Sequence, residues 1–205
     1  MKIIGTGMNY PSHNKEMQHS VAPSEPVLFM KPDTALLKNG KHFFMPAFAG
    51  EIHYEAEIVV RIDRLGRHIE ERFARRYYNE VTLGIDFTAR DIQKRLRAEG
   101  HPWEISKAFD NSAAVGHFFS LDDLGREADE LHFRLLLNGQ EVQSASTSEM
   151  IFSVERIISY ASSFFTFRTG DLIYTGTPAG VGPVKPGDHL EGYIEDWKAL
   201  DLYIR

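Results

Sequence analysis

Three carboxylates stand out for their spacing. Glu55 and Glu57 flank Ala56, and Asp86 closes the largely apolar run Val81-Thr82-Leu83-Gly84-Ile85. Side chains at i and i+2 of a strand share a face, so Glu55 and Glu57 point the same way. Taken as a pair they fit a solvated strand face, because adjacent like charges repel unless something positive lies between them. Asp86 alters that reading, since an acid at the end of an apolar strand is expensive to bury unpaired. Three carboxylates without sulfur or imidazole suit a hard cation, Mg²⁺ or Mn²⁺, with about three of six octahedral positions left for water and substrate.

His13 and Glu16 lie three residues apart and meet only in a helical turn, yet Tyr10-Pro11-Ser12 before them reads as loop. The segment from Tyr10 to Pro23 holds little apolar material, so a lid that becomes helical on closing is one expectation and a surface loop the other. None of the nine histidines belongs to an H-E-x-x-H zinc motif. Lys107 lies among apolar neighbours in Ile105-Ser106-Lys107-Ala108-Phe109, where it either snorkels to solvent or serves a site. Arg90 and Gln93 follow Asp86 at i, i+3 on a short helix, opposite Ile92 and Leu96, placed to hold a carboxylate or merely to solubilise the helix. Thr175 to Pro183 is glycine-rich but lacks the Gly-Lys-Ser/Thr ending of a P-loop. It reads as a tight turn whose hydroxyl and amides face an anion.

The elements that must position these groups are mostly strands. Glu55 to Ile62 alternates with period two, and Leu131 to Leu137 alternates up to Asn138-Gly139, a strong hairpin signal. Leu200 to Ile204 closes the chain as a further strand. Thr88 with Asp91 three residues on predicts a helix start, Gly100 its stop, and a second helix begins at Ser153. A mostly β, α+β fold follows, with short helices plugging a sandwich or barrel.

With 205 residues, no repeat and no linker, one domain over 1–205 is expected. The net charge of -6, without a basic block, argues against nucleic acid as partner. No apolar run approaches the roughly 18 residues of a membrane helix, and the first residues lack a secretory pattern. The absence of cysteine removes disulfides, thiolate metal sites and thiol nucleophiles, and leaves the cytoplasm as the expected compartment.

Together, Asn9-Tyr10-Pro11-Ser12-His13, Phe29-Met30-Lys31-Pro32, His53-Tyr54-Glu55-Ala56-Glu57, Asp86 to Gln93, Lys107-Ala108-Phe109-Asp110 and Thr175 to Gly182 closely resemble the fumarylacetoacetate hydrolase family. They span almost the whole chain in the family's order. The likeness is to its small single-domain branch of acylpyruvate hydrolases and oxaloacetate decarboxylases. It implies a twisted β-sandwich or β-roll and a homodimer. By motif it makes Glu55, Glu57 and Asp86 ligands of Mg²⁺ or Mn²⁺, His13 and Glu16 a water-activating dyad on a lid, and Lys107 a substrate-side cation. Arg90, Gln93 and Thr177 match positions that hold the 2-oxo acid end of the substrate. The chain lacks the extra N-terminal domain of the larger members, and Gly7-Met8-Asn9-Tyr10 stands where those carry a fourth acid, so fumarylacetoacetate itself is not the expected substrate.

The implied reaction is C–C cleavage of a small 2-oxo acid through pyruvate enolate, whose charge the cation and Lys107 share. Acylpyruvate hydrolysis needs water activated by His13; oxaloacetate decarboxylation does not. Isomerisation of a 2-hydroxy-dienoate or tautomerisation of oxaloacetate, requiring only proton transfer, is the alternative. A binding protein for 2-oxo acids would need no base, which the His13/Glu16 pair argues against.

Overall fold

The computed structural model describes residues 1–18 and 22–205. β-branched and aliphatic residues dominate Ala56–Ile62 and Tyr78–Asp86, which pair antiparallel with Ala56 opposite Ile85 and Glu57 opposite Gly84. These two strands are the centre of a mixed sheet ordered Val27–Lys31, Ile3–Gly7, Leu172–Tyr174, Ala56–Ile62, Tyr78–Asp86, Ala113–Val115, Leu36–Leu37, with Phe119–Ser120 alongside Tyr78–Asp86. Both of its faces are covered: Ile58, Val60, Leu83 and Ile85 face the main core, Val59 a smaller cluster with Ile3, Leu172 and Tyr174. A strand buried on both faces has no solvated side, which corrects the exposed face that alternation alone predicts for Glu55 and Glu57.

A second, four-stranded antiparallel sheet packs on those central strands in the order Gln140–Ser146, His132–Leu137, His189–Ile194, Trp197–Tyr203. Its first hairpin turns at Asn138 and Gly139, both with positive φ (53° and 80°), as a type I′ turn requires. The short strands Gly182–Pro183, Ile52–Tyr54 and Thr88–Ala89 form a third sheet beside the acids. The fold is thus α+β and mostly strand, with curled sheets and few helices. Among the described residues no helix is long and apolar enough to cross a membrane.

Two helices match their sequence signals unequally. Ser153 caps Val154–Phe164, its hydroxyl accepting from Arg156 N at 3.2 Å. The Arg90–Glu99 helix does stop at Gly100 (φ 69°), but Thr88 is not its cap. Thr88 is held in a strand opposite His53, and Asp91 instead accepts from Gly50 N at 2.8 Å. Arg90, Gln93 and Leu96 form the buried stripe of this helix, so Arg90 and Gln93 are not on a solvent face.

Gly84 shows how tightly the centre closes. A Cβ there would lie 2.6 Å from Val59 Cγ2, 2.7 Å from Ala114 O and 2.9 Å from Tyr174 Cε1, where the Tyr174 hydroxyl bonds Ala114 O across the strand. Gly84→Ala is therefore expected to cost about 1–3 kcal/mol, the scale of overpacking. Urea unfolding should show a lower midpoint at unchanged m.

Candidate active site

Register brings the acids together. Asp86 N donates to Glu55 O at 2.8 Å, so the end of one central strand meets the residue that enters the other. Glu55, Glu57 and Asp86 are buried, and one oxygen from each lies within 4.8 Å of the others. Three buried basic groups balance them. Lys107 Nζ is 2.6 Å from both Glu55 Oε2 and Asp86 Oδ2, and Arg90 pairs with Glu55 Oε1. Lys31 lies 2.7 Å from Asp86 Oδ1 and bonds Ser112 Oγ and the Lys107 carbonyl.

The carboxylates respond differently. Burial works to raise the pKa of Glu55, but the charges of Lys107, Arg90 and His13 override it and hold the group well below the carboxylate range. Glu57 is raised, first by burial and then by Asp86, and accepts one backbone hydrogen bond, from Gly176 N at 2.7 Å. Burial works to lower the pKa of Lys107, yet Asp86 and Glu55 outweigh it and keep the ammonium charged.

The donor set fits a hard divalent cation. Asp86 Oδ1, although near Lys31, receives no hydrogen bond among the described residues, and Glu57 holds its oxygens beside two other acids. A cation there would take the free lone pair and relieve the repulsion that raises Glu57. The cluster of His189, Glu191 and Asp201 differs in that its side chains are partly exposed, so water can solvate its charges and no cation is needed to offset burial.

The remaining sequence-derived residues converge on the same place. His13, Arg90, Gln93, Lys107 and Thr177 line one pocket with the three acids; Glu16 stands behind His13. Lys107 does not snorkel, and its ammonium lies among the acids rather than alone on a substrate wall. Met8, Met17, Phe29 and Trp103 add an apolar wall, and Arg97 a second guanidinium one helical turn beyond Gln93.

Pro11–Glu16 is a helix, the turn that His13 and Glu16 need in order to meet. Asn14 bonds Met8 O at 2.9 Å, and Gly180 N donates to Glu16 Oε1 at 3.1 Å, so this part of the expected lid is docked. Residues 19–21 of the expected lid lie outside the described residues. His13 Nδ1 is 3.4 Å from Glu16 Oε2. A carboxylate only accepts, so Nδ1 carries the hydrogen and Nε2 keeps its lone pair. Burial lowers the His13 pKa, only partly offset by Glu55, and favours the neutral imidazole.

The glycine-rich loop presents an amide to an anion as expected, but the anion is the protein's own Glu57. Gly176 has φ 101°, and a Cβ there would come 2.8 Å from Asn9 Cβ. Asn9 in turn bonds Thr175 O and Phe152 through its amide, anchoring the loop from below.

A model of the fumarylacetoacetate (FAA) hydrolase C-terminal family matches residues 2–202. The chain belongs to this family. Within it, the chain is 42 % identical over 193 residues to the mitochondrial oxaloacetate tautomerase of Mus musculus, covering 94 % of this chain and 86 % of that protein. It is 38 % identical over 189 residues to the oxaloacetate tautomerase of Escherichia coli K12, covering 92 % and 86 %. The crystal structure of fumarylpyruvate hydrolase from Pseudomonas aeruginosa, in complex with Mn²⁺ and pyruvate, superimposes with a TM-score of 0.92 at 34 % identity, over 100 % of this chain and 89 % of that one. The enzymatic character of the family and the fold expected from sequence are thereby established.

Four supporting residues had no role assigned from sequence. Asn9, Lys31 and His53 stand inside motifs that carried the resemblance; Gln143 is a polar residue at an inward position. His53 accepts from Arg90 Nε at 3.3 Å and bonds Glu51 at 2.5 Å, which steadies the guanidinium that pairs with Glu55. For Lys31 the available signal was a lysine closing the apolar run Val27–Lys31; Gln143 lies in a polar segment, Gln140–Ser146, that gave none.

Glu57→Gln should remove most Mn²⁺ affinity while leaving the thermal midpoint unchanged or higher, because it relieves repulsion among the acids at nearly constant shape. Calorimetric titration with Mn²⁺ checks this; wild-type affinity in the variant would exclude Glu57 as a ligand.

Proposed function

We propose that this enzyme interconverts the enol and keto forms of a small 2-oxo dicarboxylate, oxaloacetate first among candidates, with Mg²⁺ or Mn²⁺ held by Glu55, Glu57 and Asp86. The carrying observation is that His13, whose burial favours the neutral imidazole, faces the same pocket as the three acids and the set Arg90, Gln93 and Thr177 proposed to hold a carboxylate. When bound, the cation would polarise the substrate's keto oxygen and acidify the hydrogens on C3. His13 Nε2 then takes a proton from C3, or returns one to it, while Glu16 holds the ring and steadies the imidazolium. Lys107 brings positive charge to the oxygen on which the enolate develops. Gln93 and Thr177 orient the 2-oxo acid end, and Arg97 at the outer turn supports a second carboxylate on the substrate. The similarity to two oxaloacetate tautomerases supports the same reading.

C–C cleavage is the second reading, favoured by the His13–Glu16 dyad and by likeness to a fumarylpyruvate hydrolase. The same base would activate water for an acylpyruvate, while oxaloacetate decarboxylation would need only the shared electron sink. Loss of enol absorbance reports tautomerisation, and coupled reduction of pyruvate reports cleavage. With Mn²⁺ present, enol loss should far outpace pyruvate release from oxaloacetate. His13→Ala should slow it by about 10² or more, the usual scale for a general base. Because the neutral imidazole is the active form and its pKa is lowered, kcat/KM should hold as pH falls past the ordinary histidine value of about 6.5 and drop only below it. Pyruvate release as fast as enol loss would favour cleavage instead, and a limb above the ordinary value would remove His13 as the base.

Self-association belongs to the same proposal. Met1, Met30, Phe48, Ile92, Ile105 and Phe109 form an apolar groove, with Phe48 56 % and Ile105 58 % exposed, a face that a second copy would cover. Light scattering should give a dimer mass for the wild type and a monomer for Ile105→Lys; a monomeric wild type would overturn it.

A further inference from the structure

Gln143 lies on the Gln140–Ser146 strand of the second sheet, outside the pocket and only 2 % exposed. Its side-chain amide makes three buried hydrogen bonds. Oε1 accepts from Ala56 N at 2.9 Å, while Nε2 donates to Pro178 O at 3.0 Å and to Thr177 Oγ1 at 2.9 Å. The amide can sit only one way round, because the Ala56 N–H can only donate and the Pro178 carbonyl can only accept.

Two consequences follow from that orientation. Ala56 separates Glu55 from Glu57, so the amide grips the backbone between two of the acids. Both hydrogens of Nε2 are committed, one of them to the oxygen of Thr177. The Thr177 hydroxyl therefore accepts from behind, and its own hydrogen turns to whatever occupies the pocket that Thr177 lines. The loop and strand are also pressed together independently, since a Cβ on Gly180 (φ 98°) would collide with the carbonyl of Val142.

We propose that Gln143 is a positioning residue which makes Thr177 an obligate hydrogen-bond donor to the carboxylate of the bound 2-oxo acid. The same amide sets that donor at a fixed distance from the Glu55–Glu57 pair. This rests on the 2-oxo acid reading above. It assigns selectivity to a residue that never touches substrate: a hydroxyl free to rotate would donate to an acceptor or accept from a donor alike, whereas a hydroxyl held from behind by Gln143 Nε2 favours a group that only accepts, such as a carboxylate, over an amide or a hydroxyl that would donate to it.

The test is a double-mutant cycle on Mn²⁺-loaded protein, with oxalate as probe. Calorimetry measures Kd for oxalate and, separately, for Mn²⁺ alone, on wild type, Thr177→Val, Gln143→Met and the double variant. Thr177→Val should weaken oxalate about tenfold or more, as for a hydrogen bond to a charged group. Gln143→Met should weaken it about fivefold or more in the wild-type background, and less than about twofold once Thr177 is Val. Gln143→Glu, which keeps an acceptor for Ala56 N–H but draws the Thr177 hydrogen to itself, should show the same loss beyond the charge effect it retains in the Val background, and serves if the Met variant does not fold. A merely structural role would give equal losses in both backgrounds, tracking Mn²⁺ affinity and thermal midpoint, and would overturn the proposal. Wild type that binds Mn²⁺ but no oxalate overturns the 2-oxo acid reading and this inference with it. Wild type that binds oxalate while Gln143 variants match it overturns this inference alone.

Discussion

Three buried carboxylates within 4.8 Å of one another are the constraint around which this molecule is built. At an effective dielectric constant of about 20, each such pair of charges repels by roughly 3 kcal/mol, before the cost of removing them from water. The protein answers with Lys31, Lys107 and Arg90, each buried and each in contact with Glu55 or Asp86. Among the described residues Glu57 receives no such partner, only the Gly176 amide, and its ionisation is the one that burial and Asp86 oppose. A divalent cation would complete this arrangement. On the proposed reading, affinity for the metal and affinity for a chelating substrate are two aspects of one unbalanced charge.

Glu57 and Asp86 are carried by the two central strands, and Glu55 directly precedes one of them. Ala56–Ile62 lies between Leu172–Tyr174 and Tyr78–Asp86, and the closeness of those strands leaves no room for a side chain at Gly84. The other parts of the site are then hung on that centre. The glycine-rich loop touches Glu57 through Gly176, Glu16 through Gly180 and Gln143 through Thr177 and Pro178. One loop therefore links Glu57, Glu16 and Thr177, so that displacement of any of them is felt by the others.

Much of the site was legible in the residues because chemistry restricts residue type. Glu55, Glu57 and Asp86 could be grouped without coordinates, since a lone acid ending an apolar run asks for a partner, and the pairing of His13 with Glu16 needed only a helical turn. The Asn138-Gly139 hairpin was legible because a type I′ turn demands positive φ at two successive residues. Thr88 was misread as a helix cap: its Asp91 pattern is local, while its place in a strand opposite His53 depends on residues far away in sequence. Arg90 and Gln93 looked equally suited to solvent because a helix's polar face does not reveal whether it meets water or a pocket.

By itself, the sequence determined the composition of the centre: oxygen ligands and no sulfur, one histidine with a nearby acid, and a strand-rich chain to hold them, all properties of residue type and short spacing. Tertiary structure alone decided which charges neutralise which. Lys31 is 55 residues from Asp86 and Gln143 is 87 from Ala56, separations shown by their numbers and closed only by sheet order and register. Period-two alternation says that a side chain points inward but not what waits there. A buried lysine, an amide or a threonine hydroxyl takes its role from the donor or acceptor that folding sets against it.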